Sequence, residues 1–213
     1  MGQNSSQTSI QEKIIEKLIE NNVDINSCTK LSTENGNSAL IYAIKNKNEE
    51  LAMFLIEKGI NLDLYSEPTI GGNDAGKTAI FYALEKRMDT IVESIIKKKE
   101  MILEDKKISN GQTLLMYFAQ YSNAKILKAL LPYYIQKNNN CMKKNDDDGL
   151  TPFLYAITYN ENIEVAKLLR MYGADVNISI KDENAVQFVK KSNLEDKDSR
   201  LEKLESWGVK KND

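Results

Sequence analysis

The chain has 213 residues, with 29 Lys and Arg against 31 Asp and Glu, a net charge of −2, and 41% hydrophobic residues. That length can bury one sizeable core, and the near-neutral balance has no basic excess to grip phosphate backbones, so nucleic acid is not an expected partner. Histidine is absent and only Cys28 and Cys141 carry thiols, which removes the commonest general base, any Ser-His or Cys-His nucleophile pair and any zinc cluster.

Taken from the amino terminus, Met1-Gly2-Gln3-Asn4-Ser5-Ser6 fits the N-myristoylation pattern at Gly2 in a eukaryotic setting. The plainer reading of residues 1–9 is a flexible polar tail. One acyl chain without a polybasic cluster holds a membrane only weakly, and Lys13 and Lys17 make no such cluster. With no bilayer-length apolar run and no secretory signal, a cytoplasmic protein is expected, at most peripherally attached to a membrane. Ile14, Ile15, Leu18 and Ile19 then predict a capping helix within 10–27, running into Asn22-Val23-Asp24-Ile25-Asn26.

Beyond it one phrase recurs: Gly36-Asn37-Ser38-Ala39-Leu40, Gly76-Lys77-Thr78-Ala79-Ile80, Gly111-Gln112-Thr113-Leu114-Leu115 and Gly149-Leu150-Thr151-Pro152-Phe153. The glycines are 40, 35 and 38 residues apart, a period that points to stacked supersecondary units. Each phrase leads into two short amphipathic helices, as in Leu40–Ile44 followed by Leu51–Ile56, or Tyr155–Ile157 followed by Ile163–Leu169. Units are expected at about 33–64, 73–105, 108–137 and 146–178, with a C-terminal cap at 181–210 built from Ala185–Val189 and Leu201–Trp207. Insertions are placed near Tyr65–Gly72, Leu103–Ile108 and Lys137–Asn145, and Pro132 is expected to end or kink its helix. Lys99 stands where the second unit's closing glycine belongs.

The sequence resembles an ankyrin repeat protein, whose unit opens with Gly-x-Thr-Pro-Leu and closes with Gly-Ala-Asp-Val-Asn. Its fourth unit carries Gly149-Leu150-Thr151-Pro152-Phe153, Leu168-Leu169 and Gly173-Ala174-Asp175-Val176-Asn177. The resemblance implies an all-α solenoid of stacked helix-turn-helix units with short hairpin loops, in a single domain over 10–213. It also implies a non-catalytic module (adaptor, scaffold or subunit of a larger assembly) that binds another protein on its concave face. A toxin-neutralising or effector role on the same scaffold has no sequence feature to separate it from an adaptor. Neither a cofactor nor a metal is expected, and nothing in the sequence argues for a homo-oligomer.

Under that resemblance Tyr42, Tyr82, Tyr117 and Tyr155 fall in one column, continued by Phe188, and Asn46, Lys86, Tyr121 and Tyr159 form the next row along the first helices. These eight residues from Tyr42 to Tyr159 are the candidate partner-binding set. The column reads either as packing between units or as a binding strip. Ile41, Phe81, Met116 and Leu154 replace the family's usual histidine, so apolar contact is expected to hold the junctions.

Gly71-Gly72-Asn73-Asp74-Ala75-Gly76-Lys77-Thr78 also fits the phosphate-loop pattern and supports the alternative reading of a nucleotide-binding enzyme. The context argues against it. Leu64–Ile70 is polar and contains Pro68, unlike the buried parallel strand such a loop needs, and Gly76–Ala79 already belongs to the repeated phrase.

Overall fold

The computed structural model describes residues 10–28, 36–65, 75–98, 105 and 107–209. Among the described residues a lone helix α1 (Ile10–Glu20) precedes five pairs of helices. The pairs are α2 (Ala39–Lys45) with α3 (Glu49–Glu57), α4 (Ala79–Glu85) with α5 (Asp89–Lys98), and α6 (Leu114–Tyr121) with α7 (Ala124–Lys137). They continue with α8 (Pro152–Tyr159) beside α9 (Ile163–Met171), and α10 (Ala185–Lys191) beside α11 (Lys197–Ser206).

Hydroxyl residues of the repeated phrase start the first helix of the first four pairs. Ser38, Thr113 and Thr151 sit in extended backbone and accept the N–H groups of Ile41, Met116 and Leu154. Each bond satisfies a donor that the first helical turn leaves without a partner. Thr78 holds the same place before α4 with no side-chain cap bond. Pro152 follows Thr151 at a position where a missing N–H costs nothing.

Short antiparallel pairings precede the first helices. Tyr65 pairs with Thr78 and Lys107 with Thr113 as isolated antiparallel bridges, and β1 (Ser179–Ile180) pairs with β2 (Glu183–Asn184) before α10. Gly111 shows how tightly these turns nest. A Cβ built there would stand 2.3 Å from Asp147 Oδ1 and 2.7 Å from Asp147 N, in the hairpin of the next unit. Only a residue without a side chain fits.

Helices α2, α4, α6, α8 and α10 lie side by side as one layer, with α3 against α5 and α7 against α9 in the second. Neither layer could shelter its apolar stripe alone. Leu40, Ile44, Leu84, Leu115, Phe118 and Phe153 are shut away from solvent between them, and each such side chain contributes about 1.5–3 kcal/mol of transfer free energy.

Left-handed helix ends are of two kinds. α3, α9 and α11 run into Gly59, Gly173 and Gly208, all at positive φ, the usual residue for this left-handed cap. α2 and α4 end in the same way, but the left-handed position holds Lys47 and Arg87, each at φ +54°. The Arg87 N–H donates to Leu84 O at 3.0 Å and the Met88 N–H to Ala83 O at 2.9 Å; Lys47 and Asn48 repeat the pattern on Ile44 and Ala43.

Two expectations are corrected. Pro132 does not end α7, which continues to Lys137; Pro132 and Lys128 are both exposed, so water can solvate the carbonyl that proline leaves without a donor. The junctions are also not held by apolar contact alone. Asn160 Nδ2 donates to the carbonyls of Ala119 (2.9 Å) and Ser122 (3.0 Å) in the preceding unit. Asn123 Nδ2 donates to Asp89 Oδ2 at 2.6 Å, and the Asn61 N–H to Asn26 Oδ1 at 2.7 Å. Polar groups thus join the apolar contacts between units.

The insertion after α7 is ordered by a buried carboxylate. Asp105 accepts the Tyr134 hydroxyl at 2.5 Å and the Leu115 N–H at 3.4 Å, and its other oxygen lies 2.9 Å from Lys144 Nζ. A 3₁₀ turn at Cys141–Lys143 closes over this cluster with Cys141 and Met142 buried.

Candidate partner-binding face

The layer of first helices positions all eight residues of the candidate set; the lipidation candidate Gly2 lies outside the described residues. Tyr82, Tyr117 and Tyr155 are buried, at 2%, 3% and 6% exposure, whereas Tyr42 in the aligned place is 51% exposed. In the next row Asn46 and Lys86 are exposed, Tyr121 is half-buried and Tyr159 is 44% exposed. Asn46 Nδ2 donates back to the Tyr42 carbonyl at 2.9 Å.

Two of the buried rings are covered by lysines. Lys45 Nζ lies 4.7 Å from the centre of the Tyr82 ring, and Lys77 Nζ lies 5.4 Å from that of Tyr117. Each ring is thus covered by a cation of the preceding unit, an attraction that strengthens as water is excluded. Tyr42 follows α1, which has no first helix beside it among the described residues, and its ring stays open to solvent. Tyr82 and Tyr117 are thus covered by cations, while Tyr155 is buried through its hydroxyl bond to Asp146.

The buried phenols are also held by acceptors. The Tyr117 hydroxyl donates to Glu85 Oε1 at 3.1 Å and the Tyr155 hydroxyl to Asp146 Oδ2 at 2.5 Å. Burial raises both phenols well above the usual tyrosine range, and the neighbouring carboxylates push in the same direction. Asp146 accepts the N–H groups of Asp148 and Leu150 as well, so it organises its turn while Asp147 and Asp148 face solvent.

Two ring pairs run along the helices toward the exposed row: Tyr117 with Tyr121 at 5.5 Å between centroids, and Tyr155 with Tyr159 at 5.6 Å. Tyr121 is raised above the normal tyrosine range by burial first, then by the charge of Glu85, with Lys77 and Arg87 acting the other way. Beside this group Arg87 Nη2 makes a 3.0 Å ion pair with Glu161 Oε1.

Sequence reasoning missed Lys45, Lys77, Glu85, Arg87 and Glu161. A signal for some of them existed. Complementary residues stand eight apart across three of the opening turns: Asn37 with Lys45 at 3.3 Å, Lys77 with Glu85 at 2.6 Å, and Glu183 with Lys191.

Lys77 bears directly on the phosphate-loop pattern. The residue is 6% exposed, its ammonium ion-paired to Glu85 and set over the rings of Tyr82 and Tyr117. Thr78 forms the hairpin bridge with Tyr65 and precedes α4. Gly71–Asp74 lie outside the described residues. Among the described residues no group of three His, Cys, Asp or Glu could hold a metal ion, and no helix is long and apolar enough to cross a membrane.

The sequence profile of ankyrin repeats (three copies) matches residues 6–105 and 88–180. The chain belongs to the ankyrin repeat family. Members of this family are generally protein–protein interaction modules. A putative ankyrin repeat protein, FPV031 of Fowlpox virus (strain NVSL), is 28% identical over 147 residues, 69% of this chain. This ankyrin repeat chain spans 40% of that relative's length.

Two solved structures share the fold. An ankyrin repeat domain (ABAYE2397) from Acinetobacter baumannii AYE superposes with a TM-score of 0.68 at 17% identity, covering 94% of each chain. A chain of the complex between the Bd0816 predatory endopeptidase from Bdellovibrio bacteriovorus and the immunity protein Bd3460 superposes with a TM-score of 0.66 at 23% identity. That match covers 92% of this chain and 93% of the other. At these identities the likeness is one of fold.

Proposed function

We propose that this ankyrin repeat chain is a non-catalytic binding module, an adaptor, scaffold or assembly subunit, that holds a protein partner on the concave face of its first helices. The observation that carries the reading is the exposed row beside a locked column. Tyr82, Tyr117 and Tyr155 are committed to the stack, while Tyr42 and Tyr159 stand open and Tyr121 stands half open on the same rigid layer. Tyrosines fixed on helices offer large contact area with little rotamer freedom left to lose, which suits an interface.

The test uses the purified chain as bait beside its Tyr121→Ala/Tyr159→Ala variant, with thermal unfolding of both. A partner retained by the first and lost by the second, at equal melting temperature, supports the reading. An identical retained set sinks it, and a collapsed melting temperature assigns the tyrosines to the core.

A further inference from the structure

Arg87 occupies a backbone conformation that glycine would fill with less strain. At φ +54° its Cβ crowds the following carbonyl, which is why Gly59, Gly173 and Gly208 hold the equivalent caps of α3, α9 and α11. A long cation kept at such a place is a local conflict between backbone and side chain, and conflicts of this kind concentrate where the side chain is used. Lys47 repeats it one unit earlier, also exposed at φ +54°.

Its partner comes from two units away. In the third unit the cap residue Ser122 is followed at once by Asn123, which opens α7. In the fourth, Glu161 stands between the caps Asn160 and Asn162 and is exposed. The extra residue reaches back to unit two and meets Arg87 at 3.0 Å, with side-chain exposures of 50% and 73%. A pair this exposed contributes little to stability and exchanges readily for another carboxylate. Tyr121, half-buried, lies within the field of the Arg87 charge, and Tyr159 stands open two residues before Glu161. Arginine with tyrosine is the combination that dominates binding hot spots.

We propose that Arg87 is the anion-receiving residue of the first-helix face, and that Glu161 fills it in the free protein in place of a carboxylate from the partner. The partner then engages through an acidic segment that carries an aromatic or apolar side chain beside the acid. The guanidinium takes the incoming carboxylate through its donor fork, the neighbouring side chain lies on Tyr121 and Tyr159, and Glu161 is released to water. This rests on reading the first-helix face as the partner surface.

The experiment measures binding of two labelled copolymers, poly(Glu,Tyr) and poly(Lys,Tyr), to the full chain at low and physiological salt. Expected are a preference for poly(Glu,Tyr), a gain of about threefold or more in Glu161→Gln, and a loss of about tenfold in Arg87→Gly. Because glycine relieves the left-handed strain, Arg87→Gly should also melt no lower than the native chain, a combination that a purely structural arginine would not give. Asn22→Gly, the same conformational change at φ +59° after α1, should leave binding unaltered. Unchanged affinity in Arg87→Gly, no gain in Glu161→Gln, or preference for poly(Lys,Tyr) overturns the proposal.

A second measurement separates the two readings. A phage-displayed library of random 12-residue peptides is selected on the native chain. Binders that need Tyr121 and Tyr159, yet carry no acid and ignore Arg87, overturn the acidic segment and spare the face. Binders indifferent to those tyrosines overturn both.

Discussion

Arg200 Nη2 donates to the carbonyl oxygen of Glu161 at 3.0 Å, tying the last unit to the end of α8 from inside the protein. The side chain has no exposed surface. Its Nη1 reaches Ile157 O at 3.2 Å, and Nε meets Asp196 Oδ1 at 2.6 Å. The final carbonyls of a helix have no partner of their own, so one guanidinium both caps α8 and docks α11. Asn160 does the same for α6.

Replacing Arg200 by alanine strands these carbonyls and leaves a void, so a loss of about 3 kcal/mol is expected in urea unfolding. Arg200→Lys should not restore it, since a single ammonium cannot serve three directions. Trp207 is the chain's one tryptophan and packs on Phe153 and Arg170. Its fluorescence should therefore change at lower urea than the helical signal in the variant. Coincident transitions and a native midpoint would show that the cap does not depend on Arg200.

Two glycines separate conformation from collision. Gly173 has φ +91° with nothing within 4 Å of a built Cβ, so Gly173→Ala carries only the left-handed penalty of about 1 kcal/mol. Gly111→Ala adds a Cβ 2.3 Å from Asp147 Oδ1 and forces the fourth unit's hairpin to shift. Its loss should be larger by about 1–3 kcal/mol. Equal losses in thermal unfolding would mean the hairpins yield freely.

The helix pairs were readable because their signals are local: a glycine, a hydroxyl residue capping a helix start, and apolar residues at helical spacing. Arg200 was not. It sits in Lys197-Asp198-Ser199-Arg200-Leu201-Glu202-Lys203, which reads as a solvated face, and only the position of α8 buries it. Four tyrosines in matching phrases gave no hint that Tyr42 differs from Tyr82, because the difference lies in whether, among the described residues, the first helix of a preceding unit stands beside the ring. The left-handed turn at Arg87 was equally invisible, since arginine is not the residue that signals one.

Lys77 offers a test of the phosphate-loop pattern. Its ammonium, at 2.6 Å from Glu85 and over two rings, holds units two and three together. Lys77→Ala should lower stability by about 1–2 kcal/mol, with Lys77→Met losing less because its stem still packs. Magnesium and ATP should not raise the melting temperature of the native chain. A rise that Lys77→Ala abolishes would restore nucleotide binding as the function.

Cys141 makes a prediction whose sign is fixed by its surroundings. Burial, then the negative charge of Asp105, pushes its thiol up to about 11, with Lys144 opposing weakly. A raised thiol favours the neutral form in the folded protein, while the unfolded chain releases its proton near 9. The thiol's stabilisation is therefore fully present below about pH 9 and is lost as pH climbs toward 11. The urea midpoint should fall between pH 8.5 and 10.5, and Cys141→Ala should fall less steeply from a lower starting value. Cys28, half-buried with its Sγ 3.6 Å from Asn26 O, should react with an aromatic disulfide reagent in the native protein, while Cys141 waits for urea. Two thiols reacting at one rate, or parallel declines in the two proteins, would place Cys141 in contact with solvent and remove the buried Asp105 cluster as the anchor of that insertion.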